Sequence, residues 1–471
     1  MKKNTVSRNL SYSLLSNIVI TILSILIILV LPKLVSVTEY GYWQLYLLYV
    51  SYVGIFHLGW VDGIYLRYGG KSLSDINKST LNNQIILFIF FETVLTIILL
   101  FLSYNFETKQ PKFIIYFSII NILILNFKSL IMYILQSFNK IREYSVMVII
   151  DRIIFLIVFL ALILIKKVSI EYLMILDIFS KFLSALIGVY YIRVVFSFVF
   201  KFEKIDFIEV YKNMSSGIKL LMSYLCSIFI IGISRLNIVS EWGIATFAKI
   251  SLTLSISNFL LVLINSIGVV LYPIIRKVQK ELLPSIYLAI RDVLMSTILL
   301  LLLGYYPLKY VLNIWLPDYY QSIYFMAILF PMCLYEGKMY LLVNTYLKCL
   351  RKEKILMKVN IVSLLLSIFF SFVSTKIFHS LNLAVVSILV VLATRCILAE
   401  VYILYSLKIK SYNDIFYELL LTVIFICSSW FLSPLLGSFL YLIFLLLYLF
   451  LKKSKIVNSL VMVKELLKKE I

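Results

Sequence analysis

The chain has 471 residues, of which 62% are hydrophobic and 14% charged. That much apolar surface exceeds what a soluble core can hide, and runs of about 20 apolar residues recur from end to end, each long enough to cross a bilayer. A soluble enzyme is excluded, and so is a nucleic-acid partner for the net charge of +21, because the cations sit in short loops between apolar runs.

Hydropathy predicts an all-α polytopic membrane protein of about fourteen transmembrane helices. The first six spans run 10–31, 42–65, 82–104, 112–136, 144–166 and 170–192. The polar connection Lys201 to Lys212 leads to six more, at 214–236, 245–270, 287–306, 322–346, 356–378 and 383–406. A last pair at 414–432 and 435–451 is split by Ser433-Pro434, and a basic amphipathic tail follows. The expected domains are an N-terminal six-helix lobe (1–200), a second six-helix lobe (201–410), an extra helix pair (411–451) and a cytoplasmic tail (452–471). Lys2, Lys3 and Arg8 precede the first span as in a signal peptide. That span is too long for one and lacks a small-residue cleavage site, so it reads as a retained helix.

With the amino terminus inside, the inner segments carry 27 Lys and Arg against eight in the outer ones. This bias orients the chain with both termini cytoplasmic and puts the excess charge beside anionic lipid headgroups. The stretch Ser215 to Lys277 repeats the plan of the opening. Each copy has an apolar helix, a turn (Glu39-Tyr40-Gly41, then Glu241-Trp242-Gly243), a second apolar helix and a basic exit. Six spans separate the copies, so they share one orientation and imply parallel repeats with a path between the lobes. Helices 1, 2, 7 and 8 are the expected lining.

An ionisable side chain within a span costs about 2.5–3.5 kcal/mol on insertion scales, and so faces a wet cavity or a partner. The candidates are Glu92, Lys128, Asp151, Arg152, Asp177, Lys181, Lys249, Glu336, Lys338, Arg395 and Glu400. Asp177 and Lys181 are four apart and can neutralise each other. Asp151 and Arg152 are adjacent, and Glu336 and Lys338 two apart, so neither pair faces itself. Lys128 and Arg395 lack a carboxylate at helical spacing and need either a partner on another helix or an anionic ligand. Surplus positive charge from Lys128, Arg395, Arg152, Lys181, Lys249 and Lys338 suits an anion such as a diphosphate. Glu92, Asp151 and Glu400 keep a cation exporter open, and any of them could couple transport to protons or sodium.

Arg67 and Lys71, around Gly69-Gly70, could cradle a phosphate at the inner mouth; a glycine helix stop with basic anchoring explains them as well. Pro331 and Pro273 can kink their helices. Tyr40, Tyr42, Trp43, Tyr46 and Tyr49 read as an interfacial aromatic belt, and a sugar-stacking surface is the alternative. His57 and His379 lack a Cys or carboxylate at ligand spacing, and the five cysteines read as apolar fillers. Span 14 either grooves a lipid tail or packs on the bundle. No Walker A sequence occurs, and the longest outer segment, Tyr305 to Gln321, is too short for a catalytic domain. Neither cofactor, metal nor enzymatic activity is expected.

Two runs carry a family resemblance. They are Glu39-Tyr40-Gly41-Tyr42-Trp43-Gln44 and Gly59-Trp60-Val61-Asp62-Gly63-Ile64-Tyr65-Leu66-Arg67-Tyr68-Gly69-Gly70-Lys71. With Gly232-Ile233-Ser234-Arg235-Leu236 and Val270-Leu271-Tyr272-Pro273, the chain resembles polysaccharide biosynthesis membrane proteins over roughly 5–450. These are the Wzx-like flippases of the multidrug/oligosaccharidyl-lipid/polysaccharide exporter superfamily. The resemblance implies two six-helix lobes in a bacterial cytoplasmic membrane. They would move undecaprenyl-diphosphate-linked sugar repeats outward by alternating access for surface polysaccharide, alongside other polysaccharide-assembly proteins. Helix 1 has neither the arginine usual in the lipid II branch nor the aspartate frequent in drug exporters. The competing readings are a cation-coupled drug or metabolite exporter and, from another class, a sugar-repeat polymerase.

Overall fold

The computed structural model describes residues 3–69, 78–105, 110–196, 206–259, 261, 275 and 279–470. Among these, every regular element is a helix. Contacts divide the chain into two compact units, Met1–Ile228 and Phe229–Ile471.

The first unit begins with α1 (Lys3–Leu34), α2 (Val37–Ser51) and α3 (Trp60–Tyr68), then α4 (Lys78–Tyr104), α5 (Lys112–Ser137), α6 (Ile141–Leu164) and α7 (Ile170–Phe196). The long helix α8 (Phe207–Ser257) carries the division between units, and non-helical Gly243 (φ 78°, ψ 179°) interrupts it. The second unit continues with α9 (Leu283–Leu301), α10 (Tyr305–Trp315), α11 (Tyr320–Leu329), α12 (Met332–Lys338), α13 (Asn344–Cys349), α14 (Glu353–Phe372) and α15 (Leu381–Ser406). The extra pair is α16 (Tyr412–Phe431) and α17 (Pro434–Leu451), and α18 (Lys453–Glu470) closes the chain.

Among the described residues, ten helices are long and apolar enough to cross a membrane, or twelve if each of two bent pairs is one span. One bend, of 49°, lies at Pro331, where proline removes a backbone donor. Two further expected spans fall on α1 and on the stretch after Gly243. The continuation of that stretch through Val270-Leu271-Tyr272-Pro273, Arg276 and Lys277 lies outside the described residues, as does Lys71.

Helix α4 shows how a membrane helix is patterned. Gln84, Phe88, Glu92 and Thr96, at steps of four, are buried, while Phe90, Val94, Ile97 and Phe101 are exposed. The polar stripe thus turns inward and the apolar one toward lipid. Span 14 packs through one face, where Gly437, Tyr441, Leu445 and Tyr448 are buried.

The second span departs most from expectation. In place of one helix over 42–65, α2 ends at Ser51, a 3₁₀ turn covers Val53–His57, and α3 restarts after a bend of 63°. Leu58 (φ 51°) and Gly59 (φ 78°) both adopt the left-handed conformation at the break. The repeated glutamate begins the span: Ser36 and Glu39 form a reciprocal capping box, satisfying donors that α2 would otherwise leave open.

Three glycines place α3. A Cβ on Gly63 would lie 1.8 Å from the Asn213 carbonyl oxygen, one on Gly217 would lie 1.9 Å from the Gly59 oxygen, and one on Gly59 would lie 2.5 Å from the Ile218 nitrogen. Gly59 and Gly63 are a small-xxx-small pair that brings two backbones into contact. Around this crossing Trp60, Val61 and Ile64 pack with Phe88, Leu130, Ile131 and Met147. Gly63→Ala is expected to lower the midpoint of thermal unfolding in detergent, at a cost of about 1–3 kcal/mol or more. Gly304→Ala, with nothing within 4 Å of the added Cβ, is the control and should change it little.

Candidate functional site

The break in the second span opens a cavity of about 540 Å³ inside the first unit, within the roughly 300–1,000 Å³ of ligand pockets. Leu47, Val50, Leu125, Leu220 and Leu221 give it apolar walls, and Asn126, Ser129 and Tyr133 add neutral polar groups. Its ionisable lining is His57, Asp62, Arg152, Asp177 and Lys181.

Asp177 and Lys181 pair along α7, as their spacing predicts. The pair is tied to two other helices. Tyr46 Oη donates to Asp177 at 2.6 Å, Lys181 Nζ donates to Asn121 Oδ1 at 3.1 Å, and Asn121 Nδ2 donates to Tyr46 Oη at 2.7 Å. Tyr46 therefore belongs to a buried polar ring. Tyr40 and Trp43 are buried with it, which corrects the belt reading for these three rings, while Tyr42 and Tyr49 are half-buried.

Lys128 and Arg395 take the first of their two options. Lys128 Nζ reaches Asp151 Oδ2 on α6 at 2.6 Å. Arg395 reaches Glu336 Oε1 at 2.9 Å and donates to Asn360 Oδ1 at 3.0 Å. Arg152, next to Asp151 on α6, has no ion-pair partner among the described residues; it is half-buried and faces the cavity. Glu92 lies behind the cavity wall. Its Oε1 accepts from Asn126 Nδ2 at 3.1 Å, and its Oε2 is buried without a hydrogen bond. Asn126 Nδ2 also donates to the carbonyl of Val53, the first residue of the 3₁₀ turn, at 3.3 Å. Arg67 pairs with Glu209 at 2.8 Å and donates to Asn213, while in the second unit Lys249 donates to Gln321 at 2.9 Å.

His57 and Asp62 require a correction. No carboxylate stands at regular helical spacing from His57, but the left-handed turn folds Asp62 back to 3.8 Å from its Nε2. Asp62 escaped notice because a continuous helix would have set it on a different face.

The second unit holds a denser charge network. Arg291 on α9 meets Glu400 at 2.6 Å, Glu418 at 2.7 Å and Asp414 at 3.5 Å. Lys338 meets Glu400 at 2.7 Å and also pairs with Glu418. Lys452 joins Asp414 at 2.9 Å and Asp292 at 3.1 Å. Carboxylates from α16 thus fasten the extra pair to α9, α12 and α15, with no side chain of the network more than 6% exposed. Lys338 and Glu400 were legible as buried charges. Arg291, Asp292, Asp414 and Glu418 were not, since each falls near the start of its expected span (287–306 or 414–432), where charge is ordinary; α9 begins earlier, at Leu283, and places Arg291 and Asp292 at its middle. Asp414 and Glu418 at i, i+4 on an apolar helix were the available signal.

Removing one partner from a buried pair leaves an uncompensated charge, at about 3–5 kcal/mol. Lys128→Ala should destabilise by that order in chemical unfolding, and Lys128→Met with Asp151→Leu should recover most of it. A Lys128→Ala protein of unchanged stability would show that Asp151 is not its main partner. Glu418→Ala should likewise destabilise the protein in the same assay, and Leu435→Ala, on the exposed face of α17, should not.

No family model matches this chain, and no curated protein matches its sequence. Solved structures do resemble it. The lipid II flippase MurJ, in an inward closed conformation, aligns with TM-score 0.68 at 13% identity, over 94% of this chain and 98% of its own. An inward-facing multidrug resistance MATE family transporter of the MOP superfamily aligns with TM-score 0.57 at 12% identity, over 84% and 94%. A MOP superfamily transporter from Pyrococcus furiosus aligns with TM-score 0.50 at 12% identity, over 87% and 95%. At such identities the likeness establishes the fold: this chain is an all-helical, multi-pass membrane protein with the fold that MATE transporters and MurJ share.

Proposed function

We propose that this chain is a flippase for undecaprenyl-diphosphate-linked oligosaccharide repeats, serving surface polysaccharide assembly in a bacterial cytoplasmic membrane. The observation that carries this reading is Arg152, a guanidinium without an ion-pair partner among the described residues that faces a cavity of about 540 Å³. A half-buried guanidinium facing a cavity seeks an anion, and its planar fork suits phosphate oxygens. Asn126, Ser129 and Tyr133 offer hydrogen bonds of the kind sugar hydroxyls accept and donate, between leucine walls. The diphosphate is assigned to Arg152 with Lys181 beside it. Lys128 and Arg395 act by pairing with carboxylates, one step removed. Solved structures that share this fold include transporters and a lipid flippase, which supports transport over catalysis and counts against a polymerase. Alternating access is the mechanism proposed.

A second reading has its own support. Asp62 presents a carboxylate to the same cavity, as a cation-coupled drug or metabolite exporter would require. Deleting the gene separates the two. Accumulation of lipid-linked repeats in the inner leaflet, with ordinary drug sensitivity, is expected. Unchanged glycolipid with raised drug sensitivity would select the exporter. Arg152→Ala should insert and fold, yet restore flipping about 10- to 100-fold less well, the worth of a hydrogen bond to a charged group.

A further inference from the structure

Among the described residues that line the cavity, Asp62 presents a buried carboxylate oxygen, Oδ2, without a hydrogen-bond partner. Asp62 is 7% exposed, lines the cavity, and its Oδ2 makes no hydrogen bond. Opposite it stands His57 Nε2, at 3.8 Å. The other ring nitrogen, Nδ1, accepts the Gly59 backbone N–H at 3.2 Å. That contact fixes the tautomer: the neutral ring carries its proton on Nε2 and presents it toward Asp62. Protonating Nδ1 as well would set two donors against each other and break the contact at the hinge of the span. A further proton is therefore better placed on Asp62 Oδ2 than on the imidazole.

Irregular backbone at membrane depth is tolerated where it lines a cavity, and discontinuous helices commonly build ion sites there. Around Asp62 stand Tyr133 from α5 and Tyr224 from α8, both lining the cavity. Across the same space are Arg152 from α6 and the Asp177–Lys181 pair from α7. Behind it lie Glu92 on α4, joined through Asn126, and the Lys128–Asp151 pair. Every carboxylate of this group except Asp62 is held by an ion pair or by a side-chain hydrogen bond.

We propose that Asp62 is a one-proton site opening on the cavity, with His57, locked as the Nε2–H tautomer by Gly59, as its positioning residue. Uptake forms one O–H bond on Oδ2 and breaks one in a hydronium ion of the aqueous phase, which is left as water; no other bond changes. Each proton alters the charge facing Arg152 by one unit. The proton site stands on this geometry alone, while its effect on substrate rests on the anion reading above. By linkage, an anion at Arg152 and a proton at Asp62 strengthen each other's binding.

The full chain in lipid nanodiscs offers a direct test. Infrared difference spectra across pH 5–9 should show a protonated-carboxyl band that rises and falls with pH. Asp62→Asn should abolish it, and His57→Asn should displace its midpoint by about one pH unit or more. The chain has two histidines, so His379→Asn leaves His57 alone for ¹⁵N spectra, which should report the Nε2–H tautomer. A band unchanged in Asp62→Asn would overturn the site, as would a midpoint unmoved in His57→Asn together with an Nδ1–H ring. Inorganic pyrophosphate should displace the midpoint in the wild type and not in Arg152→Ala. If the band depends on Asp62 but ignores pyrophosphate, the anion reading falls and the proton site stands.

Discussion

The contact on which the first unit depends is a backbone crossing. Gly59, Gly63 and Gly217 let α3 lie directly against α8, so closely that a methyl group at any of the three would overlap main-chain atoms. In lipid, helices gain little by hiding apolar side chains from one another, and close backbone packing supplies the attraction. The crossing holds α3 at its angle, and the left-handed pair Leu58–Gly59 absorbs the change in direction. The cavity is the space this turn opens, and His57 and Asp62 meet because of it.

A second constraint is the cost of charge in a membrane, met here almost wholly by pairing between helices. Lys128 with Asp151 and Arg395 with Glu336 each join different helices. In the second unit, Arg291, Lys338 and Lys452 share four carboxylates. Such networks hold specific arrangements more than they add stability, since desolvation offsets much of the attraction. Their extent gives meaning to the groups outside them. With its neighbours neutralised, the cavity presents Arg152 and Asp62, one of each sign, on opposite sides of the proposed function.

Much of the fold was legible in the sequence. Apolar run lengths predicted a polytopic helical protein, and Pro331 marked a real bend. The repeated Glu39 and Glu241 both stand near interruptions, one in a capping box and the other two residues before Gly243. The site was legible only in part. Spacing along one helix sufficed for Asp177 and Lys181. It could not choose Asp151 for Lys128 or Glu336 for Arg395, and it hid Asp62 behind an assumption of continuous helix.

What the sequence alone determined is solvent and composition: which segments meet lipid, and which charges are costly enough to need an answer. Those are properties of single helices, set by residue type and local spacing. Which answer each charge receives was decided by tertiary structure. A salt bridge across helices depends on their crossing and rotation, neither of which is written in a local period. Arg152 and Lys128 look alike in sequence, as cations within apolar spans without a local partner. Only packing shows that one has its carboxylate and the other faces open space.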